Sequence, residues 1–338
     1  MASMDIFSGD AFSLTSLSGT VDKVDYRPGM LGAMNLFESV PVRNRNVFID
    51  RRDGQLELIA ASATGAPPEE LRADARNMVP LQAVRLAKGS TIYAAEIAGW
   101  RAFGSETEQT VVMTEYNRRR ERVRADMEAT HELHRLGALQ GKLYDANGSL
   151  IYDYFDAFGE TEAPTVTWAL GTNTTDPRAL SMTMKRDLLR SAKVPMATGV
   201  QVNALAGDAF FDALIGNAKV RETYLNWNEA AGLRQDLAFA DFEYGGVRYF
   251  NYRGSDDNQE IAVQSDEAIF FLSGVPGIYR HAMAPADEFM PYVGAPGQNV
   301  YEMMLRDRDR DAWIRCEQYS YPLYFNQRPD LVRKAALA

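Results

Sequence analysis

Apolar residues between Glu106 and Gly141 recur at a narrow helical spacing. Val112, Tyr116, Val123 and Met127 fall on one side of a helix, because side chains three, four or seven positions apart share a face. Almost everything between them is charged. Arg118, Arg119, Arg120, Arg122 and Arg124 alternate with Glu115, Glu121, Asp126 and Glu128, so several opposite charges stand one turn apart and support the helix weakly. From Leu133 the stripe moves to Leu136 and Leu139, and Gly137 and Gly141 then mark the helix end. At 1.5 Å per residue such a helix is roughly 50 Å long, more than a compact small domain is wide.

Directly after Gly141 the period changes from helical to alternating. Lys142 to Tyr144 and Leu150 to Tyr154 flank Asn147-Gly148, a pair that tolerates the positive φ angles of a two-residue hairpin turn. Helix and hairpin join without a linker, which predicts one rigid, elongated unit. Upstream, Val47 to Ile49 and Leu56 to Ala60 flank Arg52-Asp53-Gly54-Gln55 and read as another hairpin. Pro67-Pro68 opens a short acidic helix over 69–77, and Val79 to Leu86 and Thr91 to Ile97 read as strands. Downstream, Asp176 caps a helix that begins at Pro177 and runs to about Ala192, with Leu180, Met184 and Leu188 inward. A helix over 208–219 follows, then strands at Val247 to Tyr252, Glu267 to Leu272 and Ala312 to Tyr324. Pro322 and Pro329 place the end of the last one at a sheet edge or in a loop. Residues 1 to about 40 form a polar arm with little apolar periodicity. The order of elements is α+β, without βαβ alternation.

Composition narrows the class. With 338 residues, 46% hydrophobic and 24% charged, the chain buries a substantial core in one large or two moderate domains. A formal charge of −10 disfavours long-range attraction to nucleic acid, so DNA binding would need a local basic patch. The start MASMDIFSGD lacks a basic region followed by an apolar run, and no eighteen consecutive residues are apolar; manufacture and folding in the cytoplasm are expected.

Little catalytic chemistry stands out. His131-Glu132-Leu133-His134 spaces its histidines by three, whereas a zincin helix needs four to bring both rings to one metal. Glu128 and His131 make one Glu-x-x-His unit, but a di-iron site needs a second copy and two further glutamates. The remaining histidine, His281, lies in a Pro/Gly-rich stretch, and this part of the helix reads as a solvated face. Cys316 is the single cysteine; it excludes an intrachain disulfide and reads as a packed residue. The hydrolase elbow, the phosphate-binding loop and the dinucleotide fingerprint are all missing from the sequence. Five arginines over Arg118 to Arg124 are diluted by acids, and Asp307 to Asp311, DRDRD, reads as a solvated turn. Tyr152, Tyr154, Phe155, Phe158, Tyr319, Tyr321, Tyr324 and Phe325 cluster outside any amphipathic stripe. Elongated elements cannot bury them alone, so a partner copy of the chain is expected to cover them.

The residues THELHRLGALQGKLYDANGSLIYDYFDAFG (130–159), APADEFMPYVGAPG (284–297) and the ending EQYSYPLYFNQRPDLVRKAALA resemble, in order, the lambda-like major capsid protein E family of tailed bacteriophages. The resemblance extends from about Val40 to the end. It implies an HK97-type capsid fold: an N-terminal arm at 1–42, an extended E-loop at 43–99 and a peripheral domain at 100–194 with a spine helix at 106–141. An axial domain would lie at 195–300, and residues 301–338 would return to the peripheral domain. It further implies a self-assembling shell of pentamers and hexamers around double-stranded DNA, a virion location, a portal protein, a separate scaffolding protein and, optionally, a decoration protein. No catalytic, cofactor-binding or metal-binding residue is implied. Lys88 lies near the base of the E-loop, so no lysine-asparagine cross-link is expected. Two other readings stand beside this one: an HK97-type cellular nanocompartment shell, and a soluble metal-dependent enzyme using Glu128, His131 and His134.

Overall fold

The computed structural model describes residues 29–52, 76–96, 108–172, 174–193, 199–225, 241–252 and 262–338. Among these residues sixteen strands fall into five sheets beside one long helix. A short helical turn, α1 (Met30–Ala33), leads to that helix, α2 (Glu108–Gln140), whose 33 residues span about 50 Å.

Two three-stranded sheets lie along α2. One orders β1 (Glu38–Pro41), β12 (Tyr279–Met283) and β15 (Pro322–Asn326); the other orders β13 (Tyr301–Arg306), β14 (Trp313–Ser320) and β4 (Leu86–Tyr93). Tyr116 of α2 packs with Ile92, Ile314 and Cys316 of the second sheet. A six-stranded mixed sheet runs β7 (Val166–Trp168), β16 (Arg333–Leu337), β11 (Glu267–Ser273), β8 (Gln201–Ala206), β10 (Val247–Asn251) and β9 (Asp241–Tyr244). Its parallel pairs, β8 with β10 and β16 with β7, join strands distant in sequence. Helices α4 (Pro177–Ala192), α5 (Asp208–Gly216) and α6 (Ala218–Leu225) pack beside it, and Trp168 sits between Phe210 and Phe270 at 5.6 Å from each ring.

Several expected elements form as read. The Asp176 carboxylate accepts the N–H groups of Arg178 and Ala179, and α4 begins at Pro177 with Met184 and Leu188 buried. The turn at Asp307 to Asp311 closes because the Asp307 carboxylate accepts three backbone N–H groups. Pro322 opens β15, the edge of its sheet, where a missing N–H costs no ladder bond.

Others differ for local reasons. Gly137 does not end α2; the helix continues to Gln140 and stops at Gly141, whose φ is +86°. The hairpin β5 (Lys142–Tyr144)/β6 (Leu150–Asp153) has a wider turn than Asn147-Gly148 alone. Gly148 N–H donates to Asp145 O, Gly148 takes φ +80°, and the register slips between Leu143 and Tyr144, as in a type I turn closed by a glycine bulge. Tyr154 leaves the strand and starts α3 (Tyr154–Phe158), capped by Asp153. The helix expected over 208–219 breaks at Asn217, whose side-chain amide donates to Leu170 O while its oxygen receives Lys219 N–H. The strand expected at Ala312 to Tyr324 is two strands, β14 and β15, in different sheets.

The first expected hairpin is also redrawn. β2 (Asn46–Arg52) pairs with β3 (Arg76–Gln82), Arg52 opposite Arg76, so Arg52 is strand rather than turn and Arg76 and Asn77 do not belong to a helix. The strand expected at 56–60 and the rest of the acidic helix lie outside the described residues. The strand expected at 79–86 is split at 83–85 between β3 and β4, and β4 ends at Tyr93. β16, which the pattern did not announce, enters the six-stranded sheet between β7 and β11.

The aromatic residues are the largest correction at this level. Tyr154, Phe155, Phe158, Tyr321, Tyr324 and Phe325 are buried inside the single chain. Sheets built from distant segments close over them, so no partner copy is needed for these six.

A buried polar seam along the long helix and uncovered apolar side chains

The C-terminal half of α2 carries a buried polar seam. Glu128, His131, Glu132 and His134 are all buried, as is His281 on β12; the solvated face expected for this stretch does not exist. One face signal was available in the chain. Met127, His131, His134 and Ala138 continue the helical spacing of Tyr116 and Val123 once histidine is counted among the inward residues.

Most polar groups in the seam have a structural task, whereas His134 is packed with neither ring nitrogen hydrogen-bonded among the described residues. His131 Nδ1 lies 2.8 Å from the Tyr324 hydroxyl and Nε2 lies 3.0 Å from Ser320 Oγ, so both ring nitrogens are engaged by hydroxyls. His281 stacks on Tyr324 at 4.0 Å and approaches Ser39 Oγ of β1 at 3.5 Å. The Arg135 guanidinium donates to Glu128 at 2.6 Å and Glu132 at 3.1 Å, and lies over the Tyr324 ring. The Glu132 carboxylate also accepts Leu31 N–H at 2.7 Å, Gly32 N–H at 3.2 Å and the Tyr252 hydroxyl at 3.3 Å. It thereby ties α1 to α2 across a hundred residues of sequence.

Burial sets the charge states. It holds His131 well below the usual histidine range, with the neighbouring His281 and Arg135 adding to the effect. It lowers His134 to about 4 and His281 to about 3, the latter helped by Arg135. These are neutral, core-packed rings at physiological pH. Glu128 moves the other way: burial raises its carboxyl, opposed by Arg135.

A second buried group surrounds Glu302, near Tyr116 (3.3 Å), Cys316 Sγ (3.7 Å) and Arg120 (3.7 Å). Burial pushes the Cys316 thiol up to about 12, which makes it a packed residue and not a nucleophile. Both groups join α2 to its sheets.

The arginine run is divided by geometry. Arg118 and Arg119 share Glu115, which Arg118 holds down at about 2, and Arg119 also reaches Thr91 O. Arg120 turns inward to Glu302, and Lys88 pairs with Asp126 at 2.7 Å. A groove lined by Lys88, Arg118, Arg119, Arg122 and Asp126 thus has most of its positive charge already paired.

Among the described residues, large apolar side chains stand uncovered at several places. The β2–β3 ribbon buries Ile49 and Leu81 on one face and exposes Phe48 (66%) and Met78 (63%) on the other. Its base is held by Tyr152, whose hydroxyl donates to Gln82 O and accepts Gln82 N–H, by Arg45–Asp287 at 2.5 Å and by Arg85–Glu288 at 2.9 Å. Leu150 stands out from the β5–β6 hairpin, and Met290 and Val293 stand out from the loop between β12 and β13.

Comparison with known proteins gives this arrangement a context. A family model described as phage major capsid protein E matches residues 13–337. The major capsid protein of Salmonella phage Felix O1 (isolate Felix O1-VT1) is 25% identical over 357 residues, covering 95% of each chain. Among solved structures, a prophage capsid protein of E. coli CFT073 superposes with TM-score 0.60 at 13% identity, covering 96% of this chain and 99% of that one. The capsid asymmetric unit of cyanophage A-1(L) gives 0.52 at 12% identity, with 93% and 94% covered. At those identities the structural likeness shows the fold, which is the HK97-type capsid fold.

Proposed function

The chain belongs to the phage major capsid protein E family, and from that premise we infer that it is a tailed-phage major capsid protein whose copies, as pentamers and hexamers, build an icosahedral shell around double-stranded DNA. Its place is the virion, and its role is structural.

Within that role we assign the parts. Residues 1–42 act as the arm, 43–99 as the E-loop, 100–194 as the peripheral domain with α2 as spine, 195–300 as the axial domain, and 301–338 as the return segment. The observation that carries the reading is the β2–β3 ribbon. It is anchored at its base by polar contacts, yet holds Phe48 and Met78 in water. Leaving such side chains exposed forgoes burial worth about 1.5–3 kcal/mol each, and a neighbouring subunit would recover it. Many modest contacts repeated by closed symmetry then sum to a stable shell.

Finer partners follow from the same reading. Shell size is set with a separate scaffolding protein, one vertex takes a portal protein, a decoration protein is an optional addition, and assembly takes place in the host cytoplasm. A net charge of −10 suits a wall along which packaged DNA slides rather than sticks. Electron microscopy of the chain co-expressed with its scaffold tests this: closed shells are expected, whereas a monodisperse monomer with metal-dependent turnover would sink the proposal.

A further inference from the structure

The segment Phe289 to Gly297, FMPYVGAPG, has no charged side chain in a protein where 24% of residues are charged. It is also rigid. Phe289 N–H donates to Ala286 O (3.0 Å), Tyr292 N–H to Phe289 O (3.0 Å), Ala295 N–H to Tyr292 O (3.1 Å) and Gly297 N–H to Val42 O (2.9 Å). The Tyr292 ring turns inward and meets Tyr301 edge-on at 4.6 Å, while Phe289 meets Tyr319 at 4.9 Å. A Cβ on Gly297 would lie 1.9 Å from Met283 O, so the returning chain is pressed against β12 where no side chain fits. The acids at the loop's start are paired within the chain, Asp287 with Arg45 and Glu288 with Arg85, and the Tyr321 hydroxyl donates a hydrogen bond to Glu288.

This braced, neutral loop points two large apolar side chains outward. Met290 is 89% exposed and Val293 60%. Among the described residues nothing requires them there, since the loop's own packing is done by Phe289 and Tyr292.

We propose that the Met290–Val293 apex is a contact between copies of this chain, apex against apex, around a rotational axis of the shell. The proposal rests on the shell reading above. At a rotational axis identical residues face one another, so any charge would meet its like; an uncharged tip is the composition that tolerates such a meeting. Each copy carries −10, which makes a neutral meeting point more valuable. A different protein at this site would be free to use complementary charge, and the apex offers none. Methionine adapts its shape to a neighbour, and a preformed loop loses little conformational freedom on contact.

The test compares the parent chain with M290E/V293E and M290C under conditions in which the parent closes shells. Because both side chains are largely exposed, M290E/V293E keeps the parental circular dichroism and a Tm within about 2 °C. Its yield of closed shells falls at least about tenfold, because added carboxylates face each other at the axis. In M290C shells, diamide takes two electrons and two protons from a pair of thiols and leaves a disulfide dimer of this chain on a non-reducing gel; a flexible bismaleimide gives the same dimer. Dissociated M290C subunits do not cross-link, and the parent, whose Cys316 is buried, shows the background. Shells of M290E/V293E at parental yield overturn the contact, as do M290C shells that link to another protein or yield no dimer with either reagent. A parent that forms no shells sinks the shell reading together with this contact, whereas normal variant shells sink the contact alone.

Discussion

His134 is buried in α2 with neither ring nitrogen hydrogen-bonded among the described residues. Its folded-state value, about 4, lies below the unfolded value near 6.5, so between those values the unfolded chain binds more protons. Stability therefore falls as pH drops from about 6.5 towards 4, by up to about 1.4 kcal/mol per pH unit for each such histidine. His281 and His131 add to this slope. Glu128 and Glu302 oppose it, because their raised carboxyls take up protons in the folded chain first. The difference between parent and H134L isolates one ring: urea unfolding at pH 7 and pH 5 shows a shallower loss for the variant, and an unchanged loss would mean that His134 does not titrate. Arg135 supports the same seam. R135A leaves Glu128 and Glu132 buried without their cation and lowers stability by about 3–5 kcal/mol in urea unfolding. At this scale the sequence was misread, since histidine at helical spacing can face either way and only its neighbours decide.

At the scale of elements, Gly137 reverses an ordinary rule. Alanine in a helix interior gains up to about 1 kcal/mol over glycine, but here its Cβ would lie 2.7 Å from Lys142 O of β5. G137A is expected to lose about 1–3 kcal/mol through overpacking against a backbone that cannot move away; a Tm above that of the parent would contradict the close packing of helix on hairpin. That close approach is why the helix and hairpin form one rigid unit, as the missing linker in the sequence suggested. The ribbon makes an independent prediction. F48D, on an exposed face, leaves folding by circular dichroism unchanged and cuts shell yield, scored by sedimentation, because a charge replaces an apolar side chain meant for a neighbour. Local signals placed α4 and the turn at Asp307, where the cap is a side chain reaching its own next turn. They did not announce that β2 pairs with β3, because pairing is settled by the strand that offers a matching buried face.

For the whole molecule, Lys88 lies in β4 and is held by Asp126 at 2.7 Å. Mature particles are therefore expected to run as single subunits on denaturing gels, and a ladder of covalent oligomers would show that another lysine or a released Lys88 reacts. Much of this scale was legible in advance: the long helix, the α+β order and three ordered motifs identified the family. The fate of the aromatic residues was not legible, because their burial depends on β12, β14 and β15 arriving from distant sequence to close over α2. Periodicity, caps and composition act within a turn or a strand, so the chain by itself determined where α4 begins, that α2 is long and which family it joins. Which polar residues turn inward, which strands become neighbours and which apolar side chains stay in water depend on contacts between segments that are not adjacent in the sequence. Those contacts exist only once the sheets have closed, and tertiary structure alone decided them.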